Sequence, residues 1–163
     1  VPEVVSVAGD TPVVAAGGIS TGQHLAAALC LGAAGVWTGS MWLCSRESDT
    51  DMVMKEKLLK ADADSTVYSS SISGFSMRVT RCPWTDEWAK VDAPRPLDSP
   101  YQMLLSSEYI QGANDHRRGD LMTEAAGQGI GFVTEMKPAR QMMLDMVEEA
   151  LETFENLTGV MPG

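Results

Sequence analysis

The sequence predicts an α/β fold with parallel strands, and three observations lead to that prediction. Residues 11–16 (TPVVAA) form a short apolar run with β-branched members, which is typical of a buried parallel strand. Residues 23–31 are rich in alanine and leucine and favour a helix. Residues 35–38 indicate a second short strand, and a glycine turn follows each strand. The order strand, turn, helix, strand, turn is the repeating unit of a parallel α/β fold.

The ends of these first elements carry their own signals. Ser20 and Gln23 have the spacing of a capping box, so they predict the start of the helix, and Gly32 predicts its end. The second strand ends in Gly39 and Ser40, and a further helix is expected from the residues that follow. Both glycine turns are therefore predicted to lie at strand ends.

The rest of the chain is predicted to be less regular and mostly helical. Three segments show recognisable patterns: a helical one at 52–61, a β-prone one at 65–71, and a strand or extended loop at 74–81. Trp84 and Trp88 flank an acidic stretch, residues 85–87, which we interpret as a turn. A surface connection is marked by prolines at Pro94, Pro96 and Pro100. We interpret the two tryptophans as anchors of an irregular segment, with a lining of the substrate entrance as the alternative.

The last predicted helix is the most regular element of the chain. It starts near Pro138 and carries an apolar face that we expect to be buried. That face consists of Met143, Met146, Val147, Ala150, Leu151, Phe154 and Leu157. Three glycines precede this helix, at Gly127, Gly129 and Gly131. Their clustering predicts close packing or close backbone approach, and the segment is a candidate border of a site.

Composition and charge restrict the class of protein. The chain has 22 acidic and 12 basic side chains and a net charge of −10, which disfavours binding to nucleic acid or to anionic membranes. We find neither an apolar run of about 20 residues nor the pattern of a signal peptide. The three cysteines lack metal-ligand spacing and are expected to be free thiols. These features predict a soluble protein of the cytoplasm without a metal site.

The two glycine turns are the chemically informative feature. Gly17 and Gly18 follow the first predicted strand, and Gly39 and Ser40 follow the second. Glycines let backbone N–H groups approach an anion, and a helix start behind each loop adds partial positive charge. The pair therefore predicts a phosphate-binding cup. A single turn of this kind is better explained as a tight turn, and it is the pair that is specific. Ser40 could instead be a helix cap, a role that is compatible with phosphate binding.

The motifs in these turns resemble those of a known family. AAGGI at residues 15–19 and GAAGVWTGS at residues 32–40 are similar to the paired phosphate motifs of nitronate monooxygenases, also called 2-nitropropane dioxygenases. The resemblance implies that the chain is the C-terminal part of a (β/α)8 TIM barrel, with strands 7 and 8 and their helices, followed by a mostly helical extension. Residues 1–46 would be the last two β/α units, and residues 47–163 the extension within the same domain.

The resemblance also implies a cofactor, flavin mononucleotide (FMN). The residues implied to bind FMN, chiefly at its phosphate, are Gly17, Gly18, Trp37, Thr38, Gly39 and Ser40. Gly17 supports the turn, and Trp37 stands where the family often has glutamine, so only its backbone role carries over. Ser40 replaces a threonine and keeps the hydroxyl group. The family's catalytic histidine is expected upstream of Val1, and we interpret neither His24 nor His116 as the base.

The activity implied by the resemblance is oxidation of alkyl nitronates (nitroalkanes), small-molecule substrates, with O2 as electron acceptor. One alternative is an FMN enoyl-thioester reductase that uses NAD(P)H, and another is a noncatalytic module that binds a phosphorylated ligand or packs on a partner. At 163 residues the chain is shorter than a barrel of about 250 and is expected to be an inactive fragment. Unpaired strand edges would make it self-associate, and a homo-oligomer is possible for the enzyme.

Overall fold

The computed structural model describes residues 1–160, which form six α-helices and four short strands. The helices are α1 (Pro2–Val7), α2 (Gly22–Cys30), α3 (Met52–Leu59), α4 (Pro83–Trp88), α5 (Tyr101–Asp115) and α6 (Ala139–Val160). The strands are β1 (Val14–Ala16), β2 (Gly35–Trp37), β3 (Thr66–Ser69) and β4 (Met77–Thr80). Short 3-10 helices occupy Ser40–Cys44, Ala63–Ser65 and Gln128–Phe132. Over residues 1–160, no helix has the length and apolar character needed to cross a bilayer.

The chain divides into two compact units. The first contains residues 1–49 together with the C-terminal segment from Phe132, and the second contains Thr50–Gly131. The first unit therefore holds both predicted strands of the parallel pair and the last helix. The predicted organisation into barrel units at 1–46 and an extension at 47–163 concerns a complete barrel and stays a prediction.

The first unit is built on a β1, α2, β2 arrangement. β1 and β2 pair in parallel, with Val14 opposite Gly35, and Ala16 opposite Trp37. Ala15 of β1 is buried in a small apolar cluster with Ala28, which belongs to α2, and Ala33, which follows it. The α/β class predicted from the sequence is confirmed, although β1 is shorter than the apolar run that predicted it.

The start of α2 is fixed one residue later than the sequence predicted. Thr21, not Ser20, is the N-cap, and its hydroxyl oxygen accepts a hydrogen bond from the His24 backbone N–H at 3.2 Å. Thr21 has the extended backbone of a cap residue and lies three positions before His24. At the other end, Gly32 adopts a φ of +90°, a conformation that favours glycine and ends the helix.

The long helix α6 packs against α2, but with a narrower buried face than predicted. The buried side chains are Met142, Met146 and Ala150, which are spaced four residues apart on one side of the helix. Four residues of the predicted apolar face are instead exposed: Met143, Val147, Leu151 and Leu157. Because α2 covers only one stripe of α6, these four apolar side chains stay exposed.

The second unit contains the antiparallel pair β3 and β4. Thr66 lies opposite Thr80, and Ser69 opposite Met77. Ala125 adds an isolated bridge to Val79 of β4. The core of this unit is formed by side chains from several elements, namely Met54, Leu58, Val79, Cys82, Ala113, Met122, Ala126 and Ile130.

In the second unit, the predicted turn at residues 85–87 was wrong and one helix was not predicted. The predictions for residues 52–61, 65–71 and 74–81 and for the glycine cluster were confirmed. The acidic stretch between Trp84 and Trp88 is part of helix α4 rather than a turn. Helix α5 was not predicted at all, since its buried side chains include Gln102 and Ser106 and give no apolar periodicity. The close packing predicted for the glycine cluster is present at Gly131, where a Cβ atom would lie about 3.0 Å from backbone atoms of residues 62 and 63.

Candidate functional site

Each of the two glycine turns follows the last residue of one strand of the parallel pair. Ala16 and Trp37 are opposite each other in the parallel pair, so Gly17 and Thr38 directly follow the last paired positions. Neighbouring strands lie about 4.8 Å apart, and their carboxyl ends point to the same edge. The strand pairing therefore brings the two turns side by side, as the sequence predicted.

The first turn has a conformation that requires glycine. Gly17 has a φ of +93° and Gly18 a φ of +73°, in the left-handed region where a side chain costs roughly 1–2 kcal/mol. Both residues are exposed, and a Cβ atom built on either would meet nothing within 4 Å. The backbone of this turn thus faces open space, into which a ligand can approach closely.

The second turn is shaped by Trp42. The indole Nε1–H donates to the Thr38 carbonyl oxygen at 3.1 Å and to the Thr38 hydroxyl oxygen at 2.9 Å. The backbone N–H of Trp42 donates to the Gly39 carbonyl at 3.0 Å, within the 3-10 helix that begins at Ser40. A Cβ atom on Gly39 would also meet nothing within 4 Å. Trp42 thus contacts both the Thr38 hydroxyl and the backbone of a turn that is open to solvent at Gly39.

The remaining predicted site residue is Trp37, the last residue of β2. Its side chain is 74% exposed, so the strand pairing holds its backbone while most of the indole is in solvent. The turns at residues 15–21 and 35–42 contain no lysine or arginine in the sequence. The groups that the two turns themselves offer to an anion are therefore backbone N–H groups and hydroxyls.

The start of helix α2 is occupied by a residue that sequence reasoning missed. The Glu149 carboxylate, from α6, accepts a hydrogen bond from the Gly22 backbone N–H at 2.6 Å. The positive end of α2 thus faces a carboxylate as well as the Thr21 hydroxyl. No local signal identifies Glu149, since it lies 127 residues from Gly22. The start of α2 is therefore already paired with a carboxylate of the protein itself.

A cavity of about 240 Å³ lies on the α6 side of the first turn and includes Ser20, Thr21, Lys137 and Glu149 in its lining. Lys137 donates to Asp145 at 2.7 Å and also contacts Glu135, and these carboxylates raise the pKa of Lys137. The same lysine lowers the pKa of the Asp145 carboxyl. Because its cation is already paired, this cavity is poorly suited to a phosphate.

The two histidines differ in their surroundings, since His24 makes contacts within the first unit and His116 is exposed. The Ser20 backbone N–H donates to His24 Nδ1 at 3.3 Å, and the ring packs edge-on against Phe132 with centroids 4.8 Å apart. His116 is the exposed C-cap residue of α5. Over the part of the chain that the structure describes, no three His, Cys, Asp or Glu residues are grouped to hold a metal ion.

The tryptophans of the second unit form an aromatic cluster. Trp84 stacks on Tyr109 with centroids 4.6 Å apart, and its indole N–H donates to the Ser71 carbonyl at 3.1 Å. Tyr109 donates to the Leu121 carbonyl at 2.6 Å, and burial raises the pKa of its phenol. The ring centroids of Trp88 and Trp84 are 5.6 Å apart. These contacts hold helix α4 within the second unit. The predicted anchoring onto the barrel and its alternative, a lining of the substrate entrance, both stay predictions.

Comparison with known proteins assigns the chain to a family. A family model for nitronate monooxygenase matches residues 1–149. The Mycobacterium tuberculosis protein Rv1533, provisionally named a monooxygenase, is 43% identical, and the alignment covers 98% of this chain and 44% of that protein.

Two solved structures are also similar. Nitroalkane oxidase from Streptomyces ansochromogenes has a TM-score of 0.79 and 26% identity, over 91% of this chain and 42% of its own. FabK from Thermotoga maritima has a TM-score of 0.74 and 33% identity, over 93% of this chain and 48% of its own. The chain thus spans less than half the length of each relative. The family match and the identity to Rv1533 show that this chain belongs to the nitronate monooxygenase family.

Proposed function

We propose that this chain supplies the phosphate-binding site of an FMN-dependent oxidoreductase that oxidises alkyl nitronates with O2. The observation that carries the proposal is the pair of open glycine turns at the ends of adjacent parallel strands. Family membership supports an oxidoreductase, and the similarity to a nitroalkane oxidase structure supports the substrate class. In this proposal β1 and β2 are strands 7 and 8 of a (β/α)8 barrel.

The residues of the two turns fit a phosphate group. A phosphate monoester carries about −1.5 to −2 charges and accepts hydrogen bonds at three oxygens. The proposed donors are the Gly18 and Gly39 backbone and the hydroxyls of Thr38 and Ser40, with Gly17 shaping the first turn. Trp37 contributes through its backbone. The flavin that these residues would hold would supply the redox chemistry, the transfer of electrons from the nitronate to O2.

The substrate and its base lie outside what these residues supply. We place the general base in a part of the protein that precedes Val1. The His24 ring accepts a hydrogen bond from the Ser20 backbone and packs on Phe132, and His116 is the exposed C-cap residue of α5, so neither histidine is assigned this role. The role of this chain is then to fix the phosphate end of the cofactor, so that the flavin ring is held in a constant position for the reaction.

The test compares flavin retention in the full-length protein with that of Gly39→Val. Valine at this position projects into the open space before the second turn, so we expect flavin absorbance after desalting to be lost. The matched control is Gly159→Val, at an exposed glycine of α6 that is also open. The proposed phosphate-binding site would be rejected if the Gly39→Val variant retained flavin, or if the unmodified protein held no flavin.

Activity assays distinguish the two enzymatic alternatives. O2 consumption with an alkyl nitronate is expected for the proposed reaction, whereas NAD(P)H oxidation with an enoyl thioester would indicate the reductase. A full-length protein that holds no flavin and catalyses neither reaction would favour the noncatalytic phosphate-binding module.

A further inference from the structure

Trp42 makes three hydrogen bonds to the second turn. Its indole Nε1–H is shared between the carbonyl and hydroxyl oxygens of Thr38, at 3.1 and 2.9 Å. Its backbone N–H donates to the Gly39 carbonyl at 3.0 Å. Trp42 and Thr38 are both half-buried. One tryptophan thus fixes the main chain of the turn and the side chain of its threonine together.

The hydrogen bond to the hydroxyl determines what Thr38 can offer a ligand. An indole N–H is only a donor, so the Thr38 oxygen must act as the acceptor in that contact. The hydroxyl proton is then directed away from the indole and is left to donate. Phosphate oxygens at neutral pH are acceptors and match such a donor. Without the indole, the hydroxyl would be free to rotate and to donate elsewhere.

We propose that Trp42 is a positioning residue that presents the Thr38 hydroxyl as a hydrogen-bond donor to the phosphate of the flavin cofactor. The inference rests on the proposed function and deepens it, because it makes this pair a determinant of selectivity for phosphorylated flavin over riboflavin. Neither turn contains lysine or arginine, so the donors that the turns themselves supply are neutral.

The test measures the dissociation constants of FMN and riboflavin for the flavin-stripped full-length protein by calorimetric titration. We expect Trp42→Phe to weaken FMN binding by about tenfold, the effect of one hydrogen bond to a charged group, and to leave riboflavin binding unchanged. Trp88→Phe, the same replacement in the other unit, is the matched control and should change neither constant.

Thr38 variants make the test independent of how Trp42→Phe folds. Thr38→Val is nearly isosteric and should reproduce the FMN-selective loss, whereas Thr38→Ser should retain most of the affinity. If the two residues act as one unit, adding Trp42→Phe to Thr38→Val should cause little further loss.

The outcomes separate this inference from the proposed function. The positioning role would be overturned, with the flavin site left intact, by either of two results. In one, Trp42→Phe weakens the binding of FMN and of riboflavin equally; in the other, Thr38→Val leaves the binding of FMN unchanged. An unmodified protein that binds neither flavin would overturn the proposed function, and this inference with it.

Discussion

Gly22 marks the closest approach of two helices in the first unit. It is the first residue of α2, and a Cβ atom there would collide with the backbone nitrogen of Ala150 and the carbonyl oxygen of Met146. It would also lie 2.6 Å from the Cβ of Glu149. Backbone atoms of a helix cannot move aside as the end of a flexible side chain can. The contact between α2 and α6 therefore requires glycine at this position.

We expect Gly22→Ala to lower the free energy of unfolding by about 3 kcal/mol, the upper part of the range for overpacking, because the helices must separate. The control is Gly112→Ala, at a glycine of α5 where a Cβ atom meets nothing within 4 Å. That change should raise stability by up to about 1 kcal/mol through helix propensity. Both are measured by chemical denaturation, and equal stability of the two variants would contradict the described packing.

At the residue scale, the sequence predicted the turns but not the groups that hold them. Gly17 and Gly18 were predictable as a turn because a glycine pair directly follows an apolar run, and both have positive φ in the structure. Glu149 and Trp42 were not, for different reasons. Glu149 acts across 127 positions of the chain, and Trp42 resembles an ordinary apolar residue until its indole N–H is seen to reach Thr38.

At the scale of elements, the start of α6 is held by an ion pair. Lys137, just before the helix, donates to Asp145 one and a half turns inside it, and Gln141 donates to the same carboxylate at 2.6 Å. These donors lower the pKa of Asp145 from its ordinary value of 3.8. A carboxyl whose pKa is lower in the folded state stabilises the fold above pH 3.8, and the contribution is lost as the pH falls through the lower, folded pKa.

We therefore expect Asp145→Asn to lower the thermal unfolding midpoint at neutral pH, and the difference from the unmodified protein to shrink as the pH falls below 3.8. Because the pair is partly exposed, high salt should also reduce the difference. Glu155→Gln, an exposed carboxylate on the same helix, serves as the control and should show neither effect. A difference that stays constant from neutral to acid pH would show that the ion pair does not stabilise the fold.

The elements differ in how far local sequence determines them. α2 was predicted within a residue because its cap, alanine content and terminal glycine all act locally. α5 was missed because its pattern is inverted: Gln102 and Ser106 are buried through hydrogen bonds to the carbonyls of Ser71 and Ile72, while Leu104 is 68% exposed. Periodicity predicts a helix only where apolar side chains face the core, and here polar side chains do so.

At the scale of the molecule, the parallel pair in the first unit has one covered face and one open face. Ala15 and Val36 belong to the apolar cluster on the α2 side. Val14 and Trp37 are exposed. Strands of parallel sheets are normally buried on both faces and paired on both edges. Within residues 1–160 neither β1 nor β2 pairs with another strand besides its partner, so each has an unpaired edge.

This arrangement leads to a prediction for residues 1–163 expressed alone. We expect the chain to self-associate, because open strand edges and exposed apolar side chains beside them are templates for pairing between molecules. Trp37→Lys should reduce the association, since a charged side chain next to a strand edge opposes such pairing. Gln23→Lys adds the same charge at an exposed position of α2 and is the matched control. Light scattering after size-exclusion chromatography measures the result. A monodisperse monomer that unfolds cooperatively would show that the open face and the edges are tolerated in solution, and that the strand pair needs no further strands to be stable.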